Sequence, residues 1–259
     1  MIISHKNHYI FIHCRKTAGS SISLMLSETL GPWDVQLSAV SETLQAGGTI
    51  PVRMWAEAIG RSGSSLLFHL MRGKGKKKAT DALAAGVKRA YQQRLGRKPQ
   101  HADAEKIKLA FPREWDSYSK FCVVRNPFSL AVSDYIWRTR NLSMRPSFPE
   151  YIKALAAGDD LGGVVPVGFY NNWRQYTIDN RIVVDHVIKF ENLSHDLGKV
   201  LSTLGVPFSG QLPRVKDVKS KNRENPPLTS YRDYYTREAV EIVSNLYRYE
   251  IDAFGYTFA

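Results

Sequence analysis

The sequence has few cysteines, and it lacks any long apolar run. Its two cysteines, Cys14 and Cys122, are too few for a disulfide framework, and no cluster of Cys and His has metal-ligand spacing. No stretch is apolar enough to span a membrane, and the first residues do not resemble a signal peptide. We therefore expect a cytoplasmic protein with two buried free thiols and no metal site.

Acidic residues are also scarce, so the chain is strongly basic. Lysine and arginine number 36 against 24 aspartates and glutamates, which gives a net charge of +12. This balance indicates an anionic ligand or surface as partner. No helix-turn-helix, zinc-finger or RNA-binding aromatic motif is present, so nucleic acid is not the favoured ligand. A non-catalytic basic module that binds an anionic glycan or nucleic acid is the alternative to an enzyme.

The bulk composition is that of an ordinary globular protein. Of the 259 residues, 43% are hydrophobic and 23% are charged, and no internal repeat or low-complexity tract divides the chain. We therefore predict a single domain over residues 1–259.

A phosphate-binding loop is predicted where the first apolar run ends. Residues 9–12 are typical of a buried strand, and an amphipathic helix follows a few residues later. A tight loop at a helix N-terminus directs backbone N–H groups and the positive end of the helix at one point. Lys16 adds a positive charge, and the hydroxyls of Thr17, Ser20 and Ser21 add donors. Ser20 or Ser21 is also expected to cap the helix.

This loop is not a Walker A motif. Lys16 precedes Gly19, whereas the Walker lysine follows its second glycine. The order argues against a Mg²⁺-dependent kinase or NTPase. The loop alone leaves open an ordinary strand–loop–helix connection with a surface lysine.

A second strand–turn–helix unit begins at residue 121. Its apolar run, residues 121–124, leads into Arg125, and Asn126 and Pro127 suit the N-cap and the first helical position. Ser133 lies two turns into the helix. Ligands of open parallel sheets bind outside the carboxyl ends of the strands, so two such strands that lead into basic residues suggest one polyanionic ligand. A structural ion pair of Arg125 is the alternative.

Together the two stretches resemble the nucleotide-binding motifs of the sulfotransferases that use 3′-phosphoadenosine 5′-phosphosulfate (PAPS). The nearest group is the carbohydrate family that includes the heparan sulfate 2-O-sulfotransferases and many bacterial relatives, with the motifs H-x-P-K-T-A-G-[ST]-S and V-R-[ND]-P…S. Residues 13–21 match the first motif, with Arg15 in place of its proline, and residues 124–127 with Ser133 match the second. The resemblance implies a bacterial member with a three-layer α/β/α, P-loop-like fold around a central parallel sheet.

The resemblance also implies roles for individual residues in metal-independent transfer to a hydroxyl, on a carbohydrate acceptor. Lys16 would stabilise the oxygen that leaves with adenosine 3′,5′-bisphosphate, and Arg125 and Ser133 would bind the 3′-phosphate. The rest of the first motif would hold the 5′-phosphosulfate through Arg15, Thr17, Ala18, Gly19, Ser20 and Ser21. A later loop, residues 216–227, would cover the nucleotide, with contacts expected from Lys221, Asn222 and Arg223.

The resembled family uses a histidine to deprotonate the acceptor. His101 lies about two dozen residues before Arg125. A helix predicted just after it would keep the imidazole neutral through its positive end. A surface or helix-capping histidine is the alternative. His13 is expected to pack under the loop, and His69 is a weaker candidate base.

Residues 51–98 are the least family-like part of the chain. Helices are predicted over 53–71, with a break near Gly60, and from about Thr80 to Leu95, with a dense basic loop over 72–78 between them. This helical basic insertion is a candidate acceptor-binding or membrane-surface region. A solvated loop is the alternative for its lysine run.

Two later segments complete the expectations. Alternating apolar residues predict one strand over 181–190, after which Glu191 is expected to fix the turn into a helix. Gln175 belongs to a short segment that resembles a family segment near the acceptor.

Overall fold

The computed structural model describes residues 1–60, 75–166, 171–213 and 230–258. The chain forms two compact units: Met1–Val124 with Arg174–Val215, and Arg125–Trp173 with Lys216–Ala259. The first unit contains all the strands of the described residues, whereas the secondary structure described for the second is helical.

A central sheet organises the first unit. The strands, in chain order, are β1 Ile2–Ser4, β2 Tyr9–Ile12, β3 Val35–Gln36, β4 Ser119–Val124, β5 Thr177–Ile178, β6 Arg181–Ile182 and β7 His186–Lys189. Five of them form one sheet in the order β3-β1-β2-β4-β7, in which β4 runs parallel to both β2 and β7. β1 runs antiparallel to both of its neighbours. The sheet is therefore mostly parallel, and the prediction of a parallel sheet was wrong for β1.

β1 reverses direction because the chain turns back within residues 5–8. His8 occupies the left-handed region at φ 51°, where glycine or asparagine is more usual. The Asp34 carboxylate supports the turn, since it accepts hydrogen bonds from the Ser4 hydroxyl (2.8 Å) and the His5 N–H (2.7 Å). No glycine or proline marks this turn in the sequence.

The described residues of both units also form helices. They are α1 Gly19–Ser27, α2 Val40–Gln45, α3 over residues 52–60, α4 Gly75–Leu95, α5 Ala104–Ala110, α6 Pro112–Ser117, α7 Pro127–Thr139, α8 Phe148–Ala157, α9 Trp173–Tyr176, α10 Leu193–Thr203, α11 Arg237–Leu246 and α12 Arg248–Phe254. None of them, within the described residues, is long and apolar enough to cross a membrane.

The prediction of a basic loop over residues 72–78 was wrong for residues 75–78. α4 already begins at Gly75, so the backbone of residues 75–78 is helical rather than a loop. Residues 72–74 and His69 lie outside the described residues.

Large apolar side chains between the sheet and two helices form the core of the first unit. Phe11 of β2 and Phe121 of β4 lie opposite each other in the parallel register and are fully buried. They belong to one cluster with Leu26 of α1 and Leu201 of α10. Burying each such side chain stabilises the fold by about 1.5–3 kcal/mol. Cys14 and Cys122 are both buried and free, as predicted.

The strand predicted over 181–190 is two strands. Asp179 and Asn180 have φ values of 49° and 58°, so they form a two-residue turn that pairs β6 with β5. β7 then begins at His186 and joins the main sheet beside β4. The alternation pattern could not show the break between β6 and β7, because apolar residues recur at every second position across both strands.

The second unit packs its helices around aromatic side chains. Tyr135 of α7, Phe148 and Tyr151 of α8, and Tyr247 after α11 belong to one buried cluster. The predicted cap of α7 is confirmed, because the Asn126 side chain accepts from the Phe128 N–H at 3.0 Å. The Thr236 side chain caps α11 in the same way by accepting from the Ala239 N–H.

Candidate functional site

The loop between β2 and α1, residues 13–18, has an unusual backbone. Lys16 and Ala18 both adopt left-handed conformations, with φ 61° and 59°. A residue with a Cβ pays about 1–2 kcal/mol for this conformation. Left-handed residues in tight loops are typical of nests, in which backbone N–H groups converge on an anion. The loop backbone is therefore a candidate anion cradle.

α1 begins without a side-chain cap. Its N-cap residue is Ala18, and no side-chain hydrogen bond caps the helix. Ser20 and Ser21, predicted as alternative caps, lie instead within the first turn of the helix, so that prediction was wrong. Both are half-buried, and they bring hydroxyl groups to the positive end of α1.

Gly19 is required by the position of His13. A Cβ at residue 19 would lie 2.0 Å from His13 Cδ2 and 2.2 Å from its Nε2, far inside van der Waals contact. His13 itself is buried. The histidine and the glycine of the motif are therefore a single packing unit, and His13 supports the loop from below, as predicted.

Thr17 stabilises the loop from within. Its side chain is buried, and its hydroxyl donates to the Cys14 carbonyl at 3.0 Å. In this structure the hydroxyl hydrogen is used inside the loop, and contact of Thr17 with a ligand stays a prediction. Arg15 and Lys16, which form the turn just before Thr17, are only half-buried.

His101 contacts the beginning of this loop. Its Nδ1 lies 2.8 Å from the backbone carbonyl oxygen of His13, and the two imidazole rings meet edge to face at 4.6 Å between centroids. A carbonyl oxygen can only accept, so Nδ1 must carry the hydrogen. In the neutral ring Nε2 therefore has the lone pair and can act as a base.

Burial keeps His101 neutral. Desolvation lowers the pKa of the imidazole to about 3, against the opposing effect of the hydrogen bond to His13, and the charges of Arg15 and Lys98 contribute to the lowering. The predicted neutral state agrees with this, but the predicted cause does not. α5 begins only at Ala104, and His101 closes a 3₁₀ helix over Pro99–His101.

A buried glutamine, Gln175, contacts the backbone of His101. Gln175 donates from Nε2 to the backbone carbonyl of His101 at 3.3 Å. The structure thus brings together the loop, His101 and Gln175, which lie far apart in the sequence. The carbonyl of His13 is the contact that sequence reasoning missed, because a backbone acceptor leaves no signal in the residue pattern.

Arg125 and Ser133 belong to the second unit. Arg125 follows β4 in the chain, and its Nε donates to the Ser129 hydroxyl at 2.8 Å. Ser133 lies one turn further along α7 on the same face and is half-buried. The guanidinium is therefore oriented by a neutral hydroxyl, and a second hydroxyl follows it at helical spacing.

The other predicted residues add little to the description of the site. Lys221, Asn222 and Arg223 lie outside the described residues. Glu191 sits in the 3₁₀ turn Phe190–Asn192 between β7 and α10, the turn in which it was expected. Within the part of the chain that the structure describes, no group of three or more His, Cys, Asp or Glu side chains could hold a metal ion.

Comparisons with known proteins agree with the motif resemblance. The model of the sulfotransferase family matches residues 1–257, almost the whole chain. An "uncharacterized protein" of Archaeoglobus fulgidus is 33% identical over 97 residues, which cover 36% of this chain and 72% of that relative. No solved structure matches the chain significantly. Because the family match spans both motifs and both compact units, the chain belongs to the sulfotransferase family.

Proposed function

We propose that this protein transfers a sulfuryl group from PAPS to a hydroxyl of a carbohydrate. Membership of the family supports sulfuryl transfer. The identity of the donor as PAPS and of the acceptor as a carbohydrate goes beyond family membership and is part of the proposal. The observation that carries the proposal is the hydrogen bond between His101 and the His13 carbonyl. It holds a neutral imidazole, whose Nε2 carries the lone pair, beside the candidate anion-binding loop. In-line transfer to a hydroxyl needs such a base beside the site that binds the donor.

The loop fits the 5′-phosphosulfate end of the donor. Backbone N–H groups from Arg15 to Ser21 and the positive end of α1 bind the oxyanions, with the hydroxyls of Ser20 and Ser21 as additional donors. The left-handed Lys16 and Ala18 set the curvature of this cradle. The absence of a Cβ at Gly19 allows the loop to lie directly on His13.

The chemistry needs one base and one cation. His101 Nε2 takes the proton of the acceptor hydroxyl while its oxygen forms a bond to sulfur. Lys16 neutralises the oxygen on which charge develops as the old sulfur–oxygen bond breaks and adenosine 3′,5′-bisphosphate leaves. Base catalysis contributes roughly 10²–10⁴ in rate. Positioning and charge neutralisation supply most of the remainder, and the protein cations allow the reaction to proceed without a metal ion.

Recognition of the 3′-phosphate distinguishes PAPS from ATP. We assign it to the guanidinium of Arg125 and the hydroxyl of Ser133, whose spacing matches the family motif. The Ser129 hydroxyl holds the Nε edge of the guanidinium and so orients the group. Lys221, Asn222 and Arg223 stay predicted nucleotide contacts.

The acceptor class follows from charge and from the insertion. The net charge of +12 favours an anionic polymer. In the insertion, Arg89, Arg94, Arg97 and Lys98 are exposed along and after α4. A basic surface of this kind suits the carboxylates of an acidic polysaccharide, and we propose such a polysaccharide as the acceptor.

The test is transfer of label from ³⁵S-PAPS, without added metal, to unsulfated acidic polysaccharides such as heparosan and chondroitin. We expect wild-type protein and the exposed-histidine variant His195→Ala to label a polymer, and Lys16→Ala and His101→Ala to lose the labelling. If wild type instead binds the polymers in a salt-dependent manner and ignores PAPS, the basic binding module is the correct description.

A further inference from the structure

We propose that Gln175 is a positioning residue for His101: its amide holds the backbone of the histidine so that Nε2 stays in place as the base. The inference deepens the proposed function and rests on it for the role of His101. The observation behind it is the hydrogen bond from Gln175 Nε2 to the His101 carbonyl.

Among the described residues, few other hydrogen bonds hold the backbone around His101. Just before it, the Met1 amino group donates to the Gln100 carbonyl at 2.9 Å. The N–H of His101 donates to the Lys98 carbonyl at 2.8 Å, which closes the 3₁₀ turn. The chain then leaves helical geometry, since Ala102 is extended at φ −66° and ψ 147°. No continuing helix therefore provides an N–H for the His101 carbonyl, and the Gln175 amide takes that place.

Two hydrogen bonds consequently define the direction of the imidazole. The His13 carbonyl fixes Nδ1 at one end of the residue, and the Gln175 amide fixes the backbone carbonyl at the other. Loss of the second contact lets the turn over Pro99–His101 shift. The Nδ1–His13 hydrogen bond, which selects the tautomer, then weakens with it.

Stability alone does not account for a glutamine here. Gln175 is only 1% exposed, and its Oε1 is a buried acceptor without a hydrogen-bond partner among the described residues. A methionine of similar volume would avoid this unsatisfied acceptor, but it would leave the His101 carbonyl without its donor. The donor function of Nε2 toward His101 is the property that only an amide at this position provides.

The variants follow from this geometry. Gln175→Met keeps the volume and removes the donor, and Gln175→Leu removes the donor with a smaller apolar side chain. Gln93→Met, on the exposed surface of α4, is the matched control. Should Gln175→Met fail to fold, Gln175→Leu carries the comparison. Thermal unfolding establishes that each variant used is folded.

The first readout is the tautomer of His101, measured by long-range ¹H–¹⁵N NMR of the ligand-free protein near pH 7. In wild type and Gln93→Met we expect Nδ1 to be protonated and Nε2 not. In the Gln175 variants we expect both nitrogen shifts to move toward averaged values, because the two tautomers exchange. Wild-type shifts in a folded Gln175 variant would overturn the proposal.

The second readout separates positioning from binding. For Gln175→Met we expect kcat to fall about 10- to 100-fold. The affinity for adenosine 3′,5′-bisphosphate, which does not contact Gln175 in this account, should stay within about twofold of wild type. Equal losses of kcat and nucleotide affinity would indicate general damage and contradict the proposal. If wild type neither binds the nucleotide nor turns over, the proposed function fails, while the tautomer comparison still decides whether Gln175 orients His101.

Discussion

Two strand-to-helix connections in this chain share a sequence pattern but have different physical designs. The connection from β2 to α1 contains two left-handed residues and starts its helix at Ala18 without a side-chain cap. The connection into α7 has a side-chain cap from Asn126 and proline at the first helical position. One connection carries backbone strain and an uncapped helix, and the other is locally relaxed.

The difference indicates where each connection would make its contacts with a ligand. An uncapped helix and a curved loop offer backbone N–H groups, so the β2–α1 loop can recognise an anion through its main chain. At α7 the Asn126 side chain already accepts from a first-turn N–H, so we expect ligand contacts there from side chains such as Arg125 and Ser133. Strain is expected where the backbone itself binds.

The largest expected effect tests the cation of the strained loop. Lys16→Ala should lower kcat with PAPS by about 10²–10³-fold, because it removes the charge that stabilises the leaving oxygen. Arg125→Lys should lower it far less, since a cation is retained on the α7 side. Lys108→Ala, on the exposed surface of α5, is the control. Near-normal turnover of Lys16→Ala would remove Lys16 from the chemistry.

The next effect tests whether His13 and Gly19 are one packing unit. Gly19→Ala should cost about 3 kcal/mol or more of unfolding free energy, because the new methyl would overlap the His13 ring. The double variant His13→Ala/Gly19→Ala should recover part of that loss, because it removes the overlapping ring. Denaturant unfolding of the two single variants and the double variant measures the coupling. Additive losses would contradict the packing account.

A third prediction concerns Glu250 in the second unit, and it contrasts with His101 in the first. Burial raises the pKa of the Glu250 carboxyl to about 7, against hydrogen bonds from the backbone N–H groups of Asn172 and Trp173. Burial thus disfavours the charged form in both units. It lowers the pKa of His101, which is charged when protonated, and raises the pKa of Glu250, which is charged when deprotonated. Glu250 binds its proton more tightly in the folded state, so its contribution to stability is complete below about pH 4.5 and is lost as pH rises through 7.

Glu250→Gln should therefore stabilise the protein increasingly from pH 5 to pH 8. The difference from wild type should grow by up to about 3 kcal/mol across this range. Denaturant unfolding at several pH values measures it, with the exposed Glu105→Gln as the control. A difference independent of pH would show that Glu250 is charged throughout.

The smallest effect compares the two helix starts directly. Asn126→Ala should cost about 1 kcal/mol, because the Phe128 N–H loses its cap. Ala18→Gly should have the opposite sign and stabilise by a few tenths to about 1 kcal/mol, because glycine adopts φ 59° without strain. Thermal unfolding of both variants measures the contrast. Two destabilising results would mean that the β2–α1 loop is not strained.

The sequence predicts the elements on which the candidate site depends better than the contacts between them. Both strand–turn–helix units and the cap at Asn126 are readable from apolar runs and local residue preferences, which act over a few positions. The reversal of β1 is not, because His8 performs a turn usually marked by glycine. Nor does the pattern show that Ala18 is left-handed or that the Gly19 backbone touches the His13 ring, since both follow from close packing.

His101 is a second example of a site feature that depends on tertiary contacts the sequence does not show. Its position in the chain identified it as a candidate and its neutrality was predicted, but the reason given was a helix end. The cause is burial against the β2–α1 loop, and burial depends on residues that are distant in sequence. The hydrogen bonds to the His13 carbonyl and from Gln175 likewise belong to the tertiary structure.

The central claim is that the chain binds a nucleotide carrying both a 5′- and a 3′-phosphate, the first through main chain and the second through Arg125. Its most direct test is calorimetric titration of adenosine 3′,5′-bisphosphate against 5′-AMP, without metal, into wild type and Arg125→Ala. We expect the 3′-phosphate to tighten binding by about 10- to 100-fold in wild type, as a charge-assisted hydrogen bond would. In Arg125→Ala that advantage should vanish, while the affinity for 5′-AMP stays. Equal binding of the two nucleotides by wild type, or no binding of either, would contradict the account.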